Sequence, residues 1–245
     1  MKSLAHTLLK RPVWLYASVS ALAVVIMAAL SSLFAPQLQQ WEERLASRTW
    51  AMSDSSATER RVVVVDIDEK STQALGAWPW PRDRMAQLLN GLDAYGVNLK
   101  VVDVLFDGEQ NSAQDAKLVE ALQANKAPTV ISQLFALSPD AQVKSGQLAG
   151  ASSMAATANT TCPAASTQAF GFMAAAPAFA QSSQAVGHIT PIVDTDGNIR
   201  RVPAVVCYEG QAYPALAVAG LAAATGAQPV WHTTQAGLLS SSSAQ

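Results

Sequence analysis

The chain has 245 residues, a formal net charge of -2, and 50% hydrophobic against only 14% charged residues. No Lys/Arg block sits on any later segment, so the electrostatic footprint of a nucleic-acid binder is missing. The low charge instead fits an Ala-rich, partly membrane-bound chain with room for one sizeable domain.

Residues 1–12 carry Lys2, Lys10 and Arg11, and no further charge appears before Glu42. Residues 13–35 are apolar and uncharged, and as a helix they span roughly 34 Å, enough for a membrane hydrocarbon core. The positive charges ahead of this span predict a cytoplasmic N-terminus, with the remainder outside the membrane, in a bacterium the periplasm. A cleaved signal peptide is the competing reading, with Ala29-Leu30-Ser31 as a small-x-small site. A signal core is normally only about 7–15 residues long, which favours a retained anchor.

Residues 36–60 read as a juxtamembrane helix and linker, with Leu38, Trp41, Leu45 and Met52 forming an apolar stripe at helical spacing. Trp41 and Trp50 also suit the headgroup region.

From residue 61 strand and helix signals alternate, which predicts an α/β domain over 61–230 with a mixed, largely parallel sheet flanked by helices. A first buried strand is expected over 62–67, ending in Asp66 and Asp68, followed by a helical turn near 71–75. Trp78-Pro79-Trp80-Pro81 precedes a longer helix with Asp83 in its first turn, Met85, Leu88, Leu89 and Leu92 on its apolar face, and Gly96 closing it. A second strand is predicted over 99–106. A helix over 113–124, opening with Ser112 and Asp115 at capping-box spacing, leads to a third strand over 129–135.

Residues 138–169 are rich in Ala, Ser, Thr and Gln and read as a long loop. Order returns at 185–189, and Asp196-Gly197 between extended runs predicts an antiparallel hairpin, its second run covering 199–208. A helix of small apolar residues is expected over 213–225, and residues 231–245 read as a flexible tail. Cys162 and Cys207 lie in the part placed outside the cytoplasm, where a disulfide persists; spacing alone leaves a bridge and two buried thiols equally open.

Candidate chemistry centres on the first strand's end, where an α/β sheet places its sites. Asp66 and Asp68 invite a metal-dependent enzyme reading, of phosphatase or glycosyltransferase type. A haloacid-dehalogenase-type phosphatase wants Thr or Val where this chain has Lys70, and no later acidic pair completes the metal site. A glycosyltransferase Asp-x-Asp follows a nucleotide-binding half that is missing before this strand. The blander reading has Asp68 capping the next turn and Asp66 pairing with Arg82 or Arg84. Asp103 falls inside an apolar strand and needs a partner if buried, which predicts a cluster of Asp66, Asp103 and Arg82 locking the Trp78/Trp80 loop over the strand ends. Asp194-x-Asp196-Gly197 lacks the remaining ligands of a calcium loop. His6, His188 and His232 are too scattered for a zinc site or a triad, and no Gly-rich phosphate loop is present. No metal and no cofactor is therefore expected, and no catalytic residue.

Residues 62–71 (VVVVDIDEKS), 76–82 (GAWPWPR), 101–106 (VVDVLF), Gly187-His188-Ile189 and 194–203 (DTDGNIRRVP) together resemble, in order, the CHASE2 extracellular sensor domain. Members of that family sit in bacterial receptors ahead of further membrane helices and a cytoplasmic cyclase, kinase or cyclic-di-GMP enzyme. The resemblance implies a periplasmic input domain that binds an unknown stimulus, not a catalyst, with Asp66, Asp68, Trp78, Trp80, Arg82 and Asp103 as recognition or conformational-control residues. A homodimer is also expected, since one helix conveys little alone. The family's later strands, returning membrane helices and output are not found before Gln245, which predicts either a fragment of a longer receptor or a truncated one.

Overall fold

A computed structural model describes residues 12–52, 60–123, 127–150, 162, 166–194 and 196–227. The chain divides into two compact units, Met1–Val65 and Asp66–Gln245.

The first unit is helical. Helix α1 (Pro12–Leu33) and helix α2 (Ala35–Met52) are separated by a bend at Phe34, through which the i to i−4 backbone hydrogen bonds continue. The stretch Trp14–Leu33 is long and apolar enough to cross a membrane and buries none of its side chains against protein. An uncharged helix that is hydrophobic all round needs another apolar phase to cover it. In α2 the stripe of Leu38, Trp41, Leu45 and Met52 is exposed. The side chain of Trp50 and residues 1–11 and 228–245 lie outside the described residues, so the N-terminal and tail expectations fall there too.

The run at 62–65 departs from the expected buried strand. Val62, Val63, Val64 and Val65 belong to no strand, and are 55–85% exposed. An apolar β-branched run favours extended backbone, but only a hydrogen-bonding neighbour makes it a strand.

In the second unit, helix α3 (Glu69–Leu75) and helix α4 (Arg82–Asp93) precede strand β1 (Lys100–Val102) and helix α5 (Ser112–Gln123). Strand β2 (Thr129–Ala136) is central. It pairs in parallel with β1 and with β6 (Ala185–His188), and antiparallel with β5 (Gly171–Met173), which in turn pairs with β3 (Lys144–Ser145). Helix α6 (Pro177–Ser182) links β5 to β6. Strand β4 (Thr167–Gln168) lies beside β9 (Val205–Tyr208), which forms a hairpin with β10 (Gln211–Pro214), and helix α7 (Leu216–Thr225) follows. The Asp-Gly turn joins β7 (Ile192–Val193) and β8 (Ile199–Arg201) antiparallel, as its sequence predicts.

Burial explains this layering. Every residue from Thr129 to Gln133 is buried, so β2 is covered on both faces. Successive side chains point to opposite sides: Ile131 joins Trp80, Met85, Leu89, Phe106, Leu118, Leu122 and Phe179 under α4, α5 and α6, while Val130 joins Leu216 and Ala219 under α7. Gly187 makes the second packing possible, because a Cβ there would lie 2.5 Å from the Leu216 Cα.

Three further boundaries shift. The second strand stops at Val102 rather than 106, and the run at 199–208 is divided by Pro203 into β8 and β9, since proline supplies no ladder donor. Residues 213–214 extend β10 rather than opening α7. Cys162 and Cys207 form a disulfide with Cα atoms 5.9 Å apart, which ties residue 162 to β9.

Candidate functional site

The strands β1, β2 and β6 run parallel, so their C-terminal ends share one rim of the sheet. Two stretches converge there, residues 76–82 before α4 and residues 106–111 before α5. The Ala176 N–H at the start of α6 donates to the Phe106 carbonyl at 3.0 Å and brings a third helix start to the same place.

Asp68 holds the first position locally. As N-cap of α3 its Oδ1 accepts from the Ser71 amide at 2.7 Å and from Ser71 Oγ at 2.6 Å. These bonds hold its carboxyl below the usual carboxylate range, the side-chain bond contributing most. Both capping bonds fall on one of its two oxygens. Asp66, two residues earlier, is exposed.

The tryptophan pair is built by the turn that follows α3. Gly76 adopts a left-handed φ of +101° that an L side chain tolerates poorly, and its carbonyl accepts from Trp80 Nε1 at 2.8 Å. Trp80 is thereby buried with its indole N–H satisfied, as a buried tryptophan requires. Trp78 stands edge-on to it, ring centroids 6.0 Å apart, and is 44% exposed.

Arg82 is only 4% exposed. Its guanidinium lies 5.0 Å from the centroid of Phe106 and 5.5 Å from that of Phe179, and one terminal nitrogen donates to the Asp107 carbonyl at 3.0 Å. Burial pulls its pKa below the ordinary guanidinium value, with Asp115 and Asp107 acting in the opposite direction. Two aromatic faces replace much of the hydration such a cation loses.

The expected cluster of Asp66, Asp103 and Arg82 is not formed. Asp103 lies on the same face as Val101, which is 47% exposed, while Lys100, Val102 and Phe106 take the buried face, so Asp103 is exposed. The residues that accompany Arg82 are Phe106, Phe179, the Asp107 carbonyl and Asp115. Asp115 is itself buried, and its Oδ2 accepts from the Gln110 amide at 3.0 Å. The spacing of Ser112 and Asp115 had pointed to a capping box, but Asn111 supplies the cap, its Oδ1 accepting from the amides of Ala113 and Gln114 at 3.1 and 3.2 Å. With the capping position moved upstream, the Asp115 carboxylate turns to the loop. An acid in a first helical turn is too common a pattern to have singled it out.

A second polar grouping closes the β7–β8 hairpin. Arg200 makes a two-pronged contact with Asp196 at 2.9 and 2.8 Å and reaches Asp194 at 2.9 Å, and Arg201 also bonds Asp194. The two arginines explain why the acidic doublet serves as a turn clasp.

The family model for the CHASE2 domain matches residues 20–242, and the chain belongs to that family of extracellular sensory domains of signalling receptors. Comparison with curated proteins and with solved structures finds no match.

Proposed function

We propose that this chain is the periplasmic sensory input of a membrane-anchored bacterial receptor, with α1 as its anchor, its N-terminus in the cytoplasm, and the strand-end rim as the region that meets the stimulus. The observation that carries the reading is the family match, which includes most of α1 together with the whole α/β unit. The charge pattern supports the orientation, since Lys2, Lys10 and Arg11 precede the span and no acid does. Binding at the rim shifts output only through its differential affinity for two arrangements of the domain.

Alkaline phosphatase joined after Thr225 is expected to be active in intact cells, and green fluorescent protein at the same place to be dark. The reverse pattern would overturn the external placement. For sensing, the domain joined through a returning membrane helix to a cytoplasmic cyclase is expected to make cyclic-nucleotide output follow the composition of the medium. Trp78→Ala is expected to displace that dependence without unfolding the domain. An output indifferent to every medium would remove the sensory role. The exposed stripe on α2 is the proposed contact for a second copy, and sedimentation in detergent showing monomer alone would argue against it.

A further inference from the structure

The loop 107–111 is exposed, lacks regular structure and passes through a left-handed Gly108 at φ +62°, yet buried charged side chains hold it at both ends. Arg82 donates to its first carbonyl, at Asp107, and Asp115 accepts from the amide of Gln110. Each of these two side chains has one further polar atom, Arg82 Nε and Asp115 Oδ1, that is fully buried and without a hydrogen-bond partner. Leaving a buried ionic group partly unsatisfied costs on the order of a few kcal/mol, and these two atoms, one on a cation and one on an anion, belong to the side chains that hold the same loop. They are opposite in character: the first wants an anionic acceptor, the second a cationic donor. Helix α4, which Arg82 opens, has Pro81 at its N-cap and no side-chain cap hydrogen bond, and the acid of its first turn is Asp83.

We propose that loop 107–111 is the lid of a site for a small zwitterion, a free α-amino acid, whose carboxylate meets Arg82 and whose ammonium meets Asp115. Either ion alone leaves one pole unpaired. Phe106 and Phe179 hold the guanidinium in place before the ligand arrives, which lowers the ordering cost of binding. Entry requires the loop to lift, because both poles are buried; the same movement would report occupancy. This inference rests on the rim's being the sensory surface and gives that surface a ligand class.

The test is calorimetric titration of the full chain in detergent with glycine and L-alanine, against methylamine, ethylamine, acetate and propionate. Amino acids are expected to bind at least about tenfold more tightly than either half-molecule. Asp115→Asn, which keeps an acceptor for the Gln110 amide, is expected to lose that preference for the ammonium. Because Arg82→Met endangers the core, the second measurement is amide exchange at residues 107–111 in the unaltered chain, expected to change with amino acids and not with the half-molecules. No heat and no exchange response at about 10 mM amino acid, or an equal response to the amine or the acid alone, would overturn the proposal and leave the two poles to bridging water. A negative result here, with the cyclase fusion still following the medium, removes the ligand class and keeps the sensory role; a silent fusion removes the sensory role itself.

Discussion

His188 carries a clear residue-scale consequence. It is fully buried on β6, its Nδ1 accepts from the Thr190 amide at 3.3 Å, and its ring stands edge-on to Phe135 at 6.0 Å. Burial lowers its pKa to about 4. The unfolded chain titrates near the ordinary value of about 6.5 and therefore binds the proton more readily than the fold does. Stability from this group is complete above about pH 6.5 and declines as pH falls toward about 4, by roughly 3 kcal/mol at most. Urea unfolding of wild type and His188→Gln at pH 7.5 and 4.5 should show a smaller difference between the two pH values in the variant. Equal differences would mean that His188 is not the titrating group. At the same scale the alternation of tryptophan and proline ahead of an arginine drew attention to Trp80 and Arg82, and the structure buries both, Arg82 with partners other than the expected carboxylates. Asp103 misled because apolar residues flank it on both faces of the run, and apolarity alone does not say which face is covered; Val101, on its own face, is exposed. Asp115 stayed hidden because its partner, the Gln110 amide, is main chain, and main-chain partners leave no mark in a sequence.

Two contacts set the positions of the elements. Lys100 on β1 and Asp93 at the end of α4 form an ion pair of 2.7 Å with side chains 2% and 5% exposed, and the Lys100 ammonium also approaches the Leu89 carbonyl. Breaking a buried pair from one side costs about 3–5 kcal/mol, because the partner stays charged and unpaired. Lys100→Met and Asp93→Asn are each expected to destabilise by that order, and the double variant by clearly less than the sum. Additive losses in urea unfolding would show that the two do not interact. Where α7 meets β6, Gly187→Ala places a methyl group 2.5 Å from the Leu216 Cα and 2.9 Å from the Ala219 Cβ. Overpacking of this kind costs about 1–3 kcal/mol, and a melting temperature equal to wild type would contradict the close approach. Elements were readable in proportion to the specificity of their local code. Asp196-Gly197 announces the β7–β8 turn. Glu209-Gly210 makes a comparable turn between β9 and β10 with both residues at positive φ, 48° and 76°, but Glu is not a residue that signals such a conformation. Helix α6 is a short piece held by Pro177 at its start and by burial of Phe179, too brief for periodicity to reveal.

Over the whole molecule, the α/β class followed from alternating strand and helix signals, and the family from the order of several motifs. Which strands pair did not follow, because β5 and β4 are only a few residues long and are placed by partners far away in sequence. The disulfide acts at this scale, closing a sequence separation of 45 residues. In the chain-entropy account a loop of that size is worth about 4 kcal/mol. Cys162→Ala is expected to lower stability by that order, and reduction to cause the same loss in wild type and none in the variant. Unchanged unfolding on reduction would remove the bond from the stability of the fold.

The bare valines ahead of Asp66 have a practical outcome for anyone who separates the domain from its anchor. Four neighbouring β-branched side chains without a ladder partner make a short segment suited to stacking with copies of itself. A soluble piece beginning at Arg60 should scatter light and gather into colloidal clusters as its concentration rises, whereas one beginning at Asp66 should remain clear, so trimming six residues decides whether the domain can be handled in solution at all.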